Sequence, residues 1–119
     1  MIQVRDSTEY RIGSPWAARL ALAAHRSRHN SDRDYDRPRC KYLSSGAYRA
    51  VYLDPTDGGT VYKVDRDRDG GNRDEFHAAH DAYESGIDGI PAVTLYIIDG
   101  EPVIAMPYFP NSSRRDGPS

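Results

Sequence analysis

The stretch from Leu43 to Val64 constrains this chain most. Leu43-Ser44-Ser45-Gly46-Ala47-Tyr48-Arg49-Ala50-Val51-Tyr52 places two β-rich runs around a glycine turn. Asp54-Pro55-Thr56-Asp57-Gly58-Gly59 then turns the chain into Thr60-Val61-Tyr62-Lys63-Val64. Glycine and aspartate at such turns supply the positive φ that tight hairpins need, and β-branched and aromatic residues on either side favour a pleated strand. Three consecutive antiparallel strands follow from this stretch alone.

After a charged segment, Asp65 to Gly71, the period changes from two to three and a half. Asn72 can cap a helix, and Phe76, Ala79, His80 and Tyr83 recur at i, i+3, i+4 and i+7. Gly86 ends the helix and Pro91 follows it. Ala92 to Ile98 then reads as a strand, Asp99-Gly100 as a tight turn, and Pro102 to Met106 as the antiparallel partner strand. The expected order is β-β-β-α-β-β. This defines an α+β fold with a five-stranded antiparallel sheet and one inserted helix.

Upstream, residues 1–12 alternate weakly and read as a short strand or an arm. Gly13-Ser14-Pro15 is a helix start, with Ser14 as cap and Pro15 in the first turn, where its missing N–H is not needed. An Ala-rich helix over 15–29 is expected, with Trp16, Leu20 and Ala23/Ala24 as its apolar stripe. Its last turn is basic, which suits the negative end of the helix dipole. Residues 30–39 are polar and mixed in charge and read as a linker. The expected organisation is therefore an arm, helix and linker over 1–39, a folded domain over 40–110, and a polar, disordered tail over 111–119.

The sequence has 119 residues, 38% hydrophobic and 29% charged, with net charge −2. That length suits one domain with a modest core. The balance of charge argues against a dedicated nucleic-acid binder, because arginines interleaved with aspartates largely cancel one another's field. No apolar run is long enough for a membrane span, and the N-terminus has no signal-peptide core, so a cytoplasmic setting is expected. One cysteine, Cys40, excludes an internal disulfide. The Arg-heavy, Lys-poor composition fits a GC-rich bacterial or phage coding sequence. His25 and His29 stand four apart on one helix, and His77 and His80 three apart on another. Neither pair has a third ligand nearby, so both read as ordinary helix histidines and no metal is expected.

The ordered set over 40–110 resembles the N-terminal lobe of a protein kinase. The resemblance rests on the 44–51 loop, the strand lysine, the helix glutamate, the second hairpin, and Met106-Pro107-Tyr108-Phe109, which looks like a gatekeeper and hinge segment. It implies a vestigial nucleotide site made of Ser44, Gly46, Tyr48, Arg49, Val51, Lys63, Glu75 and Met106. Ser44, Gly46 and Arg49 take the three glycine places of the family's loop, Tyr48 its aromatic tip, and Val51 its valine. Lys63 takes the place of the lysine that contacts phosphates. Glu75 takes that of its helix partner, with Glu84 as the rival and a simple capping box as the plain alternative.

The family's catalytic loop, His-Arg-Asp with a downstream asparagine, and its Asp-Phe-Gly motif have no counterpart in the sequence. Phosphoryl transfer needs the base and metal ligands they supply. The resemblance thus implies a lobe without catalysis and without an obligatory cofactor, holding ATP weakly at best. The expected role is protein–protein interaction that regulates or inhibits a partner such as a host kinase. The alternative is a degenerate nucleotide-binding module or one half of a split kinase. A protein partner or a second copy is expected, through a surface that includes Trp16, Leu20, Tyr108 and Phe109. The Trp16/Leu20 helix folding back over the underside of the lobe is one way to cover that surface.

Overall fold

A computed structural model describes residues 2–30, 41–45, 49–65 and 71–108. The elements are β1 (Ile2–Asp6), α1 (Pro15–Asn30), β2 (Lys41–Ser45), β3 (Arg49–Leu53), β4 (Thr60–Asp65), α2 (Gly71–Glu84), β5 (Thr94–Ile98) and β6 (Glu101–Pro107). The class is α+β. The sheet is antiparallel in every pair and runs in the order β1-β5-β6-β4-β3-β2. It contains the five expected strands and a sixth, because β1 pairs along its whole length with β5, from Ile2↔Ile98 to Asp6↔Thr94. Residues 2–6 are therefore built into the sheet as an edge strand rather than lying apart as an arm, and the expected boundary at 39/40 does not separate two cores.

The chain after β1 is tied down by side chains. Ser7 is fully buried; its N–H donates to the Val93 carbonyl and its hydroxyl accepts from the Val93 N–H. The Thr94 hydroxyl donates to Asp6 and accepts from the Ile12 N–H. These bonds satisfy backbone groups that a buried connection would otherwise strand.

The two helices lie on opposite faces, because alternate residues of a strand point to opposite sides. On one face Tyr52, Tyr62, Val64, Tyr96, Ile98, Val103 and Ala105 form a core with α1. On the other, Val93, Leu95 and Ile104 pack with Phe76 of α2, and Ala79, Ile97 and Met106 border them.

The α1 face explains the alanines. Tyr52, Tyr62 and Tyr96 already fill the space above the sheet, so the helix must offer small side chains: Ala17, Ala18, Ala21 and Ala24 are buried, with Leu22 between them. The expected stripe is thereby corrected. Trp16 is 51% exposed and Ala23 is also exposed, while Leu20 is only partly buried at the margin. The three phenols fasten the segment. Tyr62 sits beneath Ser14 and accepts its N–H, Tyr96 donates to the Ile12 carbonyl, and the Tyr52 hydroxyl bonds His25 Nδ1. Burial raises the Tyr62 phenol pKa far above normal, with the hydrogen bond to Asp54 adding to it. Burial also pushes the Tyr96 phenol up to about 12. Because α1 covers the tyrosine face, it does not fold back over the side occupied by α2, as the sequence had suggested.

The β3–β4 turn is organised by Asp54. Its Oδ1 accepts from the Thr56 N–H and hydroxyl and from the Asp57 N–H, while Oδ2 accepts from Tyr62 at 2.7 Å. The β5–β6 turn has Asp99 at φ 53° and Gly100 at φ 84°, the two positive values of a type I′ hairpin. Among the described residues no helix is long and apolar enough to cross a membrane.

Candidate functional site

The register puts the candidate residues together. Lys63 of β4 lies between Val51 of β3 and Ile104 of β6, and Val51 lies opposite Ser44 of β2 across a bulge. Arg49 is paired with Asp65 and Met106 with Val61. Arg49, Val51, Lys63, Asp65, Ile104 and Met106 therefore share the face on which α2 lies.

Glu75 is one turn into α2 and turns toward the sheet. Lys63 Nζ stands 3.3 Å from Glu75 Oε1 and 3.2 Å from Oε2. The Arg49 guanidinium also grips Oε1. Burial works to raise the Glu75 pKa. The Arg49 hydrogen bond and the charges of Lys63 and Arg49 outweigh it and hold the carboxyl below its usual range. Glu75 therefore does not spend its side chain on a capping box. Glu84 is exposed at the far end of the helix.

Asn72 has a different task from the one expected. Its own backbone N–H is capped by Asp65, at 3.1 Å from Oδ1. Its side chain is fully buried, and Nδ2 donates to the carbonyls of Lys63 and Pro102 at 2.7 and 3.0 Å. Pro102 has no N–H, and β4–β6 pairing ends one residue before it, at Val64↔Val103. The Asn72 amide supplies donors at the end of that ladder and so fixes the start of α2 to the sheet. Its Oδ1 faces Arg49 at 3.4 Å. Asp65 and Asn72 were not recognised in the sequence as members of this cluster. The readable signal was an aspartate at a strand end shortly before a helix, a common capping arrangement.

The cluster thus joins two cations, Arg49 and Lys63, to one carboxylate, Glu75, while Asp65, the ladder partner of Arg49, caps the start of α2. The Lys63 and Arg49 side chains are 21% and 30% exposed, so the cluster is partly solvated. Val51, Leu53, Met106 and Tyr108 are half-buried on the neighbouring part of the sheet or at its end, and the Tyr108 N–H donates to the Gly59 carbonyl. The side chain of Ser44 and residues Gly46, Tyr48 and Phe109 lie outside what the structure describes. So do the 111–119 tail, most of the 30–39 linker and the 66–70 segment.

Of the histidines, His77 is exposed. His80 is half-buried, stacks on Phe76 with centroids 5.9 Å apart, and has Nδ1 3.3 Å from the Ser7 carbonyl. Arg5 lies 5.0 Å from the Phe76 ring centre. Among the described residues no three His, Cys, Asp or Glu side chains are grouped to hold a metal ion.

No protein family, no curated protein and no solved structure matches this chain. The fold and the Arg49–Glu75–Lys63 cluster are therefore the basis for any functional reading.

Proposed function

We propose that this protein is a non-catalytic, kinase N-lobe-like module of the cytoplasm that acts by binding another protein, regulating or inhibiting it. The observation that carries the reading is that Glu75 is held by Arg49 as well as by Lys63. A carboxylate already shared by two cations of its own chain keeps α2 docked without a ligand. Phosphate arriving there would compete with Glu75 for Lys63 and Arg49 rather than fill an empty site. The half-buried Val51, Leu53 and Met106 beside this cluster are the apolar part of the proposed contact surface.

A second reading, a degenerate nucleotide-binding module or half of a split kinase, draws on the Lys63–Glu75 contact itself. Calorimetry with magnesium-ATP on the full chain and on Lys63→Ala separates the two. The interaction reading expects no saturable heat from either protein. Tight binding by wild type that Lys63→Ala abolishes would replace it with the nucleotide reading. Partner capture by wild type that persists in Leu53→Glu would remove the proposed surface.

A further inference from the structure

The free edge of β1 carries an inference that does not depend on the reading above. β1 ends the sheet, and among the described residues β5 is its only strand neighbour. An edge strand leaves alternate N–H and C=O groups unpaired, and the register shows which. Asp99 and Gly100 make a two-residue turn, so Ile98 and Glu101 exchange hydrogen bonds, and the backbone groups of Ile98, Tyr96 and Thr94 face β6. Those of Ile97 and Leu95 therefore face β1, where they meet Gln3 and Arg5. The bond from the Ser7 N–H to the Val93 carbonyl continues the same alternation. The backbone groups of Ile2, Val4 and Asp6 are left pointing away from the sheet.

Nothing within β1 guards that edge. Edges are commonly protected by charged side chains, proline or a bulge. β1 has no proline and pairs with β5 without a register shift. The opposite edge strand, β2, does have a shift, between Tyr42 and Ser44. Both charges of β1 are used within the chain. The Arg5 guanidinium lies over the Phe76 ring, and Asp6 is bonded to the Thr94 hydroxyl and to Arg11. Ile2 and Val4 are only partly buried, at the margin of the α1 core. Both helices lie mainly over the middle strands, so neither obstructs a strand added beside β1.

The edge also matches itself. In antiparallel self-pairing centred on Val4, Ile2 falls opposite the partner's Asp6 and Val4 opposite the partner's Val4, so every outward backbone group of the strand enters a hydrogen-bonded pair. On the α2 side, Gln3 falls opposite the partner's Arg5, and no like charges oppose each other. A two-residue slip in either direction shortens the pairing, and one of the two sets Arg5 against the partner's Arg5. We propose that β1 pairs with β1 of a second copy about a twofold axis at Val4, joining two six-stranded sheets into one.

The test uses the full chain. Sedimentation from about 1 μM to about 1 mM should show a reversible monomer–dimer equilibrium. Val4→Pro removes an outward N–H that the monomer does not use, and proline is tolerated at such edge positions. It should weaken dimerisation about tenfold or more, because each copy loses a bond at the axis. Circular dichroism will establish that it is folded. A second measurement reads the register. In a Cys40→Ser background, oxidised glutathione should link Val4→Cys into a disulfide dimer, since residues facing each other at the axis have Cα atoms about 5.5 Å apart. Gln3→Cys should remain unlinked, because its counterpart lies diagonally, about 7–8 Å away. Leu53→Glu, on the sheet face beside Lys63, should leave dimerisation unchanged. A monomer at every concentration, a dimer that folded Val4→Pro leaves intact, or equal cross-linking of Val4→Cys and Gln3→Cys would each overturn the proposal.

Discussion

Arg49 and Glu75, from a strand and a helix separated by another strand in the chain, meet across the sheet surface, and Lys63 holds the same carboxylate at 3.2 Å. This shared carboxylate makes either cation a partial substitute for the other. Its consequences can be measured in stability.

Lys63→Ala should cost little, ~0–1 kcal/mol, because the pair is partly solvated and Arg49 remains on Glu75. Phe76→Ala should cost about 3–5 kcal/mol, because Phe76 is 1% exposed and packs with Val93, Leu95 and Ile104. Urea denaturation of both variants checks the order. A Lys63→Ala protein that fails to fold would mean that the lysine is structural.

The double variant Arg49→Ala/Lys63→Ala should be less stable than the two single losses predict, by about 0.5–3 kcal/mol, since only then does Glu75 lose both cations. A double-mutant cycle by urea denaturation measures this coupling. Strict additivity would show that the two cations act independently.

The lowered Glu75 pKa fixes the sign of an acid effect. A carboxylate with a folded pKa below its unfolded value contributes stability above the unfolded value and loses it as pH falls through the folded value. Wild type should therefore lose stability across the acid range below the ordinary glutamate pKa, and Glu75→Gln should lose less there. Denaturation midpoints measured through that range will show the difference. Parallel curves would exclude Glu75 as a contributor.

The alkaline limb should come from the tyrosines. Tyr62 and Tyr96 have raised pKa values, so their contribution is complete below the unfolded phenol value of about 10. Above that value the unfolded state sheds protons first and stability declines. For Tyr96 the contribution is gone once pH passes about 12. Tyr96→Phe should flatten part of this decline and also lose the bond to Ile12, about 0.5–1.5 kcal/mol at neutral pH. Phenolate absorbance followed during alkaline unfolding reads both effects.

Gly13→Ala tests the join between β1 and α1. Gly13 has φ 75°, and a Cβ there would lie 2.5 Å from the Tyr62 hydroxyl oxygen and 3.1 Å from the Ala105 Cβ. The backbone strain alone is about 1–3 kcal/mol, and the contact with Tyr62 would disturb its bonds to Ser14 and Asp54. A lowered Tm is expected. An unchanged Tm would mean that this turn relaxes freely.

Much of the sheet was legible because its turns and strands are local. Gly-rich hairpins and period-two runs located β2 to β6, and the 3.6-residue period located α2. The Lys63–Glu75 contact was expected from the resemblance to a kinase lobe, since the spacing of the residues alone left Glu84 and a capping box as alternatives. The place of β1 was not legible, because Ile2–Asp6 pairs with Thr94–Ile98, far away in the chain, and a short alternating run does not encode its partner. The buried side of α1 was misread because large apolar residues were expected to face the core. Here the sheet supplies the bulk through three tyrosines, and the helix meets them mainly with alanines, Leu22 being the one large side chain of α1 fully buried there. Arg49 stands in one of the glycine places of the resembled loop, but its partner depends on how α2 lies against β3, which no spacing in the sequence specifies.

Tyr62 and Lys63 are neighbours on β4, and each is tethered on a different side of the sheet. Tyr62 is bonded to Asp54 and to the start of α1, and Lys63 to Glu75 of α2. A slip of β4 by one residue would send the phenol toward α2 and the ammonium into the alanine layer. The strand is therefore keyed from above and below, like a shaft pinned through two collars. Neither helix can be re-seated by sliding β4 without breaking the grip of the other.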